Sequence, residues 1–254
     1  MPSVCVVIPA RFDSSRFPGK PLVEILGNSM IRRVYNQVRQ CKMVERILVA
    51  TDDQRIADEV LKFGGEAIIT SKGLTTGTQR IIEAALEINR ESIIVNVQGD
   101  EPVIQPEQID ELIKQVLFNN CDIATQCTKI IDSGELFDFN VVKVVRDFHN
   151  KALYFSRQAI PGFRDLPYRE WYKHTQYYKH IGIYAFNVEV LERIKTLPVG
   201  QYSNIEMLEQ LAWLENGIDI YCFETKYHSI SVDTPEDVDK VVEYLIGREI
   251  NRHI

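Results

Sequence analysis

Strand-like runs at residues 4–8, 45–50, 66–69 and 92–97 alternate with amphipathic stretches, and this alternation constrains the fold more than any other feature. Each run is long enough for a buried strand and too short for a helix of its own. Between them, residues 30–41 carry Met30, Ile31, Val34, Tyr35 and Val38 at helical spacing. Asp52 is placed to cap a helix running to about Phe63, which Gly64-Gly65 would close. Residues 78–88 put Ile81, Ile82, Ala85 and Leu86 on one face. Repeated strand–helix–strand order implies right-handed crossovers and an α/β, doubly wound, mostly parallel sheet. The run at 92–97 is almost wholly apolar, as expected of a central strand covered on both sides.

The second half has another rhythm. Residues 123–129, 141–146, 152–156, 177–186 and 218–225 read as strands with shorter connections, predicting a mixed extension and a smaller lobe. Residues 158–176 are aromatic and charged without clean period and read as an excursion or interface arm. Helices are expected over 203–216, closed by Gly217, and over about 235–246, where Pro235 stands at a first helical turn. The chain is thus read as one domain, with a first part to about 125, a lobe over 126–225 and a return over 226–254.

With 45% apolar residues in 254, such a chain can bury a sizeable core. The formal charge of −7 argues against a nucleic-acid surface. No apolar run approaches the roughly 20 residues of a membrane helix, and the first residues do not read as a secretory leader. Five scattered cysteines show no CxxC pair and no metal spacing, consistent with reduced thiols in the cytoplasm. No GxGxxG follows the first run, which disfavours a dinucleotide oxidoreductase.

The loop after the first run, residues 9–21, combines Pro9, Pro18, Gly19 and Pro21 with three cations, Arg11, Arg16 and Lys20. Cations gathered at the end of a buried strand suit a polyanion such as a nucleoside triphosphate; a solvated basic loop is the alternative. In doubly wound sheets ligands sit beyond the carboxyl ends of strands where strand order reverses. That rule would bring this loop beside Gln98-Gly99-Asp100-Glu101-Pro102, whose carboxylates suit a divalent metal holding phosphates, or else begin a turn before the next helix.

The chain resembles the 3-deoxy-manno-octulosonate (Kdo) cytidylyltransferases, or CMP-Kdo synthetases, along nearly its whole length. The resemblance is carried by Ile8-Pro9-Ala10-Arg11 with Ser15-Arg16-Phe17-Pro18-Gly19-Lys20-Pro21-Leu22, by Ala50-Thr51-Asp52 and by Asn96-Val97-Gln98-Gly99-Asp100-Glu101-Pro102. It continues through Ala152-Leu153-Tyr154-Phe155-Ser156-Arg157, His180-Ile181-Gly182-Ile183-Tyr184, Met207-Leu208-Glu209-Gln210-Leu211 and Val232-Asp233-Thr234-Pro235-Glu236-Asp237. It implies a nucleotidyltransferase fold with a sugar-binding and dimerisation lobe. The activity it implies is magnesium-dependent transfer of a cytidylyl group from CTP to an acidic eight-carbon sugar for lipopolysaccharide biosynthesis, by a cytoplasmic homodimer.

By motif position, Arg11, Arg16 and Lys20 would hold the triphosphate, with Lys20 and Arg16 catalytic. Asp100 and Asp233 would bind Mg2+. Pro9 and Ala10 would bind substrate, Thr76, Gly77 and Arg80 would stand near the base-binding wall, and Gln98, Arg157, His180, Tyr184, Glu209 and Gln210 would line the sugar pocket. One departure stands out. Where the family shows His-x-Ser-Gly-Thr-Glu-Arg, this chain reads Leu74-Thr75-Thr76-Gly77-Thr78-Gln79-Arg80, so an expected carboxylate is an amide. Room is left for an 8-amino relative of Kdo, for a sialic-acid-like sugar on the same fold, or for a nucleotide-sugar-binding module without turnover.

Overall fold

The computed structural model describes residues 2–13, 16–74, 76–85 and 93–252. The chain forms two compact units, Met1–Glu111 with His228–Ile254, and Leu112–Tyr227. The sequence reading set these breaks near 125 and 225.

The first unit opens with β1 (Val4–Ala10) and a two-residue hairpin, β2 (Glu24–Ile25) and β3 (Asn28–Ser29), which the sequence did not announce. There follow α1 (Met30–Val38), β4 (Arg46–Thr51), α2 (Gln54–Lys62), β5 (Glu66–Ile69), α3 (Gly77–Ala85), β6 (Ile93–Asn96) and α4 (Pro106–Asn119), whose last turns lie in the second unit. The strands run β5-β4-β1-β6, all parallel, with Ile8 opposite Val49, Val6 opposite Val95 and Val49 opposite Ala67. The chain therefore steps outward from β1 to β5 and returns to β1's other side as β6. Strand order reverses between β1 and β6, which is where such a sheet opens a crevice at its carboxyl edge.

Burial follows the apolar pattern. Val6, Val7 and Ile8 of β1, Ile31 and Val34 of α1 and Ile56 and Val60 of α2 are fully buried. Each such side chain contributes up to about 1.5–3 kcal/mol. The cap of α2 is not Asp52 but Asp53, whose carboxylate accepts from the Arg55 N–H at 2.9 Å; Asp52 is drawn off by a guanidinium described below. Gly64, with φ of 78°, ends that helix as expected. Of the expected helix at 78–88, the part from Leu86 to Ile88 lies outside the described residues, as does Ser92.

In the second unit, β7 (Ile123–Ile130), α5 (Ser133–Phe137), β8 (Lys143–Arg146) and β9 (Ala152–Ser156) lead to α6 (Trp171–His174) and the long β10 (Tyr177–Asn187). Then come α7 (Val188–Lys195), α8 (Gln201–Glu206), α9 (Glu209–Glu215) and β11 (Tyr221–Glu224). This sheet is mixed: β10 is antiparallel to β7 and β8, β8 to β9, and β11 is parallel to β7. The excursion at 158–176 is tied into its own unit, since Trp171 is buried against Ile130, Leu136 and Tyr177 and its indole donates to Leu166 O.

The single helix expected over 203–216 is two helices. Met207 between them has φ of 52°, a left-handed conformation that breaks the ladder without a glycine to announce it. The last helix, α10 (Pro235–Arg252), rejoins the first unit, where Val232 and Val241 pack with Ile25, Met30 and Val103. No helix among the described residues is long and apolar enough to cross a membrane.

Candidate active site

A cleft of about 240 Å³ opens in the first unit at the carboxyl ends of β1 and β6. From β1 come Pro9 and Ala10, with Arg11 just beyond. From β6 come Gln98 and Asp100, which can approach because Gly99 lacks a Cβ: one built there would lie 2.8 Å from Pro9 O. The start of α3 supplies Thr76, Gly77 and Arg80, the opening loop Arg16 and Lys20, and the segment before α10 Asp233.

The opening loop is held from beneath. Gly19 turns the chain with φ of 73°, its N–H donates to Phe12 O at 2.8 Å, and its bare face rests on the Phe12 ring. The Arg55 guanidinium covers that ring 3.4 Å from its centroid. Lys20 leaves this turn and enters the cleft. Its ammonium donates to Asp100 Oδ2 at 2.6 Å and to Val232 O at 2.8 Å, and lies 3.8 Å from Asp233 Oδ1. Arg16 donates to the same Asp233 oxygen at 3.0 Å. The Val232 N–H donates to Asp100 O at 2.9 Å, so two carboxylates far apart in sequence are stitched side by side. Asp237 secures the corner by accepting from the N–H groups of Asp233 and Thr234, and its bond to Lys240 is the main reason its pKa falls to about 2.

This donor set fits a divalent cation. Two carboxylate oxygens already converge on one positive group, the Lys20 ammonium, and Mg2+ commonly takes one or two carboxylates with phosphate and water completing the shell. Beside them Glu101 is buried, and desolvation with the neighbouring Asp100 charge raises its pKa to about 7. The sequence reading offered Glu101, with Asp100, as a carboxylate for a divalent metal or as the start of a turn. Arg80 is nearly inaccessible, and its guanidinium is committed to Asp52 Oδ2 at 2.8 Å and to Thr70 Oγ1. It reaches the cleft wall as a braced strut rather than a free cation.

The remaining candidates lie in the second unit. Arg157 follows β9, and its guanidinium donates to the carbonyls of Glu206, Phe139 and Met207. His180 and Tyr184 stand on β10 on either side of a bulge, their rings 5.4 Å apart. The His180 ring lies 2.9 Å from Thr125 Oγ1 through Nε2 and packs edge-on against Phe155, and burial lowers its pKa to about 3. Tyr184 is buried against Trp213, and desolvation, with Glu209 adding to it, raises its pKa. Glu209 and buried Gln210 open α9.

The sequence model of the family described as "Cytidylyltransferase" matches residues 5–220. Two relatives named 3-deoxy-manno-octulosonate cytidylyltransferase cover nearly the whole chain. The protein from Porphyromonas gingivalis is 47% identical over 95% of this chain and 96% of its own length. That from Thermodesulfovibrio yellowstonii is 44% identical over 94% and 96%. This chain belongs to the 3-deoxy-manno-octulosonate cytidylyltransferase family. A solved structure of CMP:2-keto-3-deoxy-manno-octonic acid synthetase complexed with CTP superposes with a TM-score of 0.90 at 38% identity, covering 97% of this chain and 99% of that one. A cytidylyltransferase structure from Leptospira borgpetersenii shares the fold at 18% identity and a TM-score of 0.60.

Within this cytidylyltransferase, the departure at Gln79 has a structural answer. Gln79 N–H donates to Thr76 Oγ1 at 3.2 Å, and Thr76 N–H donates to Gln79 Oε1 at 3.4 Å. The pair forms a reciprocal capping box at the start of α3, a task an amide performs as a carboxylate does. The cleft-facing turn at Thr76-Gly77 is therefore fixed without the missing charge. Leu74 lines the same wall.

Proposed function

We propose that this protein transfers the cytidylyl group of CTP to the anomeric hydroxyl of Kdo, giving CMP-Kdo and pyrophosphate. The observation that carries the reading is the convergence of Arg16, Lys20, Asp100 and Asp233 at the switch point of the first unit, in a member of this family. In the reaction the sugar oxygen forms a bond to the α-phosphorus as the α–β bridging bond breaks. Pyrophosphate leaves with the electron pair, and the hydroxyl proton passes to solvent.

Such chemistry asks for positioning and charge neutralisation rather than covalent help. Arg11, Arg16 and Lys20 neutralise the triphosphate. Pro9, Ala10, Thr76 and Gly77 wall the base, and Arg80 braces that wall. Asp100 and Asp233 would hold Mg2+, which when bound lowers the attacking hydroxyl's pKa and offsets charge on the leaving group. In the second unit, Arg157 has spent three of its five N–H donors on carbonyls and keeps one on each terminal nitrogen, a fork suited to the sugar carboxylate. His180, neutral by virtue of its lowered pKa, Tyr184, Glu209 and Gln210 offer hydrogen bonds to sugar hydroxyls. Gln98, read from sequence as a sugar contact, lines the first unit's cleft together with the nucleotide residues.

The product serves lipopolysaccharide biosynthesis in this reading, in the cytoplasm and as a homodimer. Five free thiols fit that compartment, and exposed Leu153, Ile205 and Met207 on the second unit fit a partner copy. Pyrophosphate release over the four NTPs and over Kdo, 8-amino-Kdo and a sialic acid, with and without Mg2+, tests the assignment. Release confined to CTP, Kdo and added Mg2+ is expected. A preference for either other sugar, or full turnover in a chelator, would overturn it.

A further inference from the structure

Arg157 lies just past the end of β9, where a long side chain has many rotamers and a fork would aim at nothing in particular. The structure removes that freedom through one residue. Glu206, at the end of α8, accepts from Ser156 Oγ on one carboxylate oxygen at 2.6 Å and from the Arg157 N–H on the other at 2.9 Å. Its own carbonyl accepts from Arg157 Nε at 2.7 Å. Glu206 thus holds the Arg157 backbone through its carboxylate and the guanidinium through its carbonyl, with Ser156 clamped beside them.

The opposite side of the same turn is fixed by a lysine. Lys143 is fully buried and donates to Asp138 O at 2.8 Å, Val141 O at 2.6 Å and Arg157 O at 2.5 Å. Lys143 and Arg157 both carry positive charge into this corner, where the carboxylates of Asp138 and Glu206 offset the burial of the ammonium. Immediately after Glu206 the chain passes through left-handed Met207, whose carbonyl accepts from the Arg157 guanidinium at 3.4 Å, and opens α9 at Glu209 and Gln210. A non-glycine residue is strained in that conformation, and here it sets the start of α9 against the guanidinium.

We infer that Glu206 is a positioning residue for sugar recognition: it fixes the plane of the Arg157 fork and its register with Glu209 and Gln210. The inference rests on the proposed role of Arg157 as the partner of the sugar carboxylate. Glu206→Gln keeps the size but loses the charge, and its amide oxygen can accept from the Arg157 N–H only when its NH2 turns to Ser156 Oγ, which must then accept where it donated, so the clamp weakens on that side.

The test is steady-state kinetics of pyrophosphate release, with Kdo and CTP varied in turn, for wild type, Glu206→Gln, Ser156→Ala, Arg157→Lys and the double variant Glu206→Gln/Arg157→Lys. Glu206→Gln is expected to raise the KM for Kdo about tenfold (1.4 kcal/mol) with the KM for CTP within about twofold. Ser156→Ala, which removes one of the two carboxylate contacts of Glu206 along with an acceptor for the Gln158 N–H, is expected to move the same constant in the same direction by less. The double variant is expected to be little worse than Arg157→Lys alone, because both changes disable one fork. An unchanged KM for Kdo in Glu206→Gln, a parallel rise for both substrates, or additive losses in the double variant would overturn the inference. Should Glu206→Gln fail to fold, an unchanged KM for Kdo in Ser156→Ala overturns it instead. A normal KM for Kdo in Arg157→Lys removes the underlying role of Arg157 and the inference with it, whereas a shift there without one in Glu206→Gln removes the inference alone.

Discussion

Replacing Lys20 by Met probes the centre of the cleft while keeping the volume of the side-chain stem. The ammonium it removes lies 2.6 Å from Asp100 Oδ2, and the two side chains are only 14% and 28% exposed. Stripping a fully buried carboxylate of its cation costs about 3–5 kcal/mol, and an exposed pair is worth about 0–1 kcal/mol. This pair falls between, at about 1–3 kcal/mol, because Asp100 then loses its cation beside Asp233, which keeps only the exposed Arg16. For a chain of this length that corresponds to a fall of roughly 2–12 °C in Tm. Mg2+ would supply the missing charge, and in the wild type it must compete with the ammonium for the same oxygens. Differential scanning fluorimetry with and without Mg2+ should therefore give a larger metal-induced gain in Lys20→Met than in the wild type. Turnover should fall about 30- to 1000-fold as one phosphate contact is lost. A variant that melts with the wild type in both conditions, or gains no more from Mg2+, would refute the convergence of both carboxylates on a single cation position.

Asp233→Asn keeps the stitching of Val232 to Asp100 but loses a charge, so turnover should drop at limiting Mg2+ with Tm nearly unchanged; equal turnover at all Mg2+ concentrations would count against a metal role. Gln79→Ala opens one side of the capping box and should cost about 0.5–2 kcal/mol in urea unfolding, whereas Gln79→Glu should retain wild-type stability. Folded His180 takes its proton only near pH 3, against 6.5 for the free imidazole. The unfolded chain then binds more protons below pH 6.5, so stability should fall as pH drops through 6.5 toward 3. His180→Gln should flatten that profile, and an identical pH dependence in the variant would show the ring to be accessible to protons. Gly99→Ala places a methyl 2.8 Å from Pro9 O, so β1 and β6 must part at their ends at a cost of about 1–3 kcal/mol, measurable as a lower Tm.

The parallel sheet of the first unit was legible because buried strands must be apolar whatever their neighbours, and β1, β4, β5 and β6 lie within two residues of the expected runs. The three cations of the opening loop were legible as a charge pattern for the same local reason. What escaped was non-local or sterically subtle. Nothing near Asp52 says that Arg80 will claim its carboxylate and leave the cap to Asp53. The break at Met207 carries no glycine to mark it, and the guanidinium that meets its carbonyl comes from a distant part of the chain. Helix α7 follows β10 without a gap and was given no element in the sequence reading, although Asn187 caps it by accepting from the Glu189 N–H. That Asp233 lies beside Asp100 was reached only through resemblance. The physical reason for it is the backbone bond from Val232 together with the Val232 and Val241 side chains packed on Met30.

The first unit is interrupted in the chain: it stops at Glu111 and resumes at His228, with the whole second unit between. During synthesis the second unit emerges as one uninterrupted stretch, while Lys20 and Asp100 wait on the ribosome for Val232 and Asp233. At the usual pace of translation the delay is on the order of ten seconds. For that interval the apolar surfaces of Ile25, Met30 and Val103 lack the helix that covers them. The order of birth therefore makes the inserted unit the first whose chain is complete, and it leaves the cleft at the ends of β1 and β6 unfinished until Val232 and Asp233 arrive.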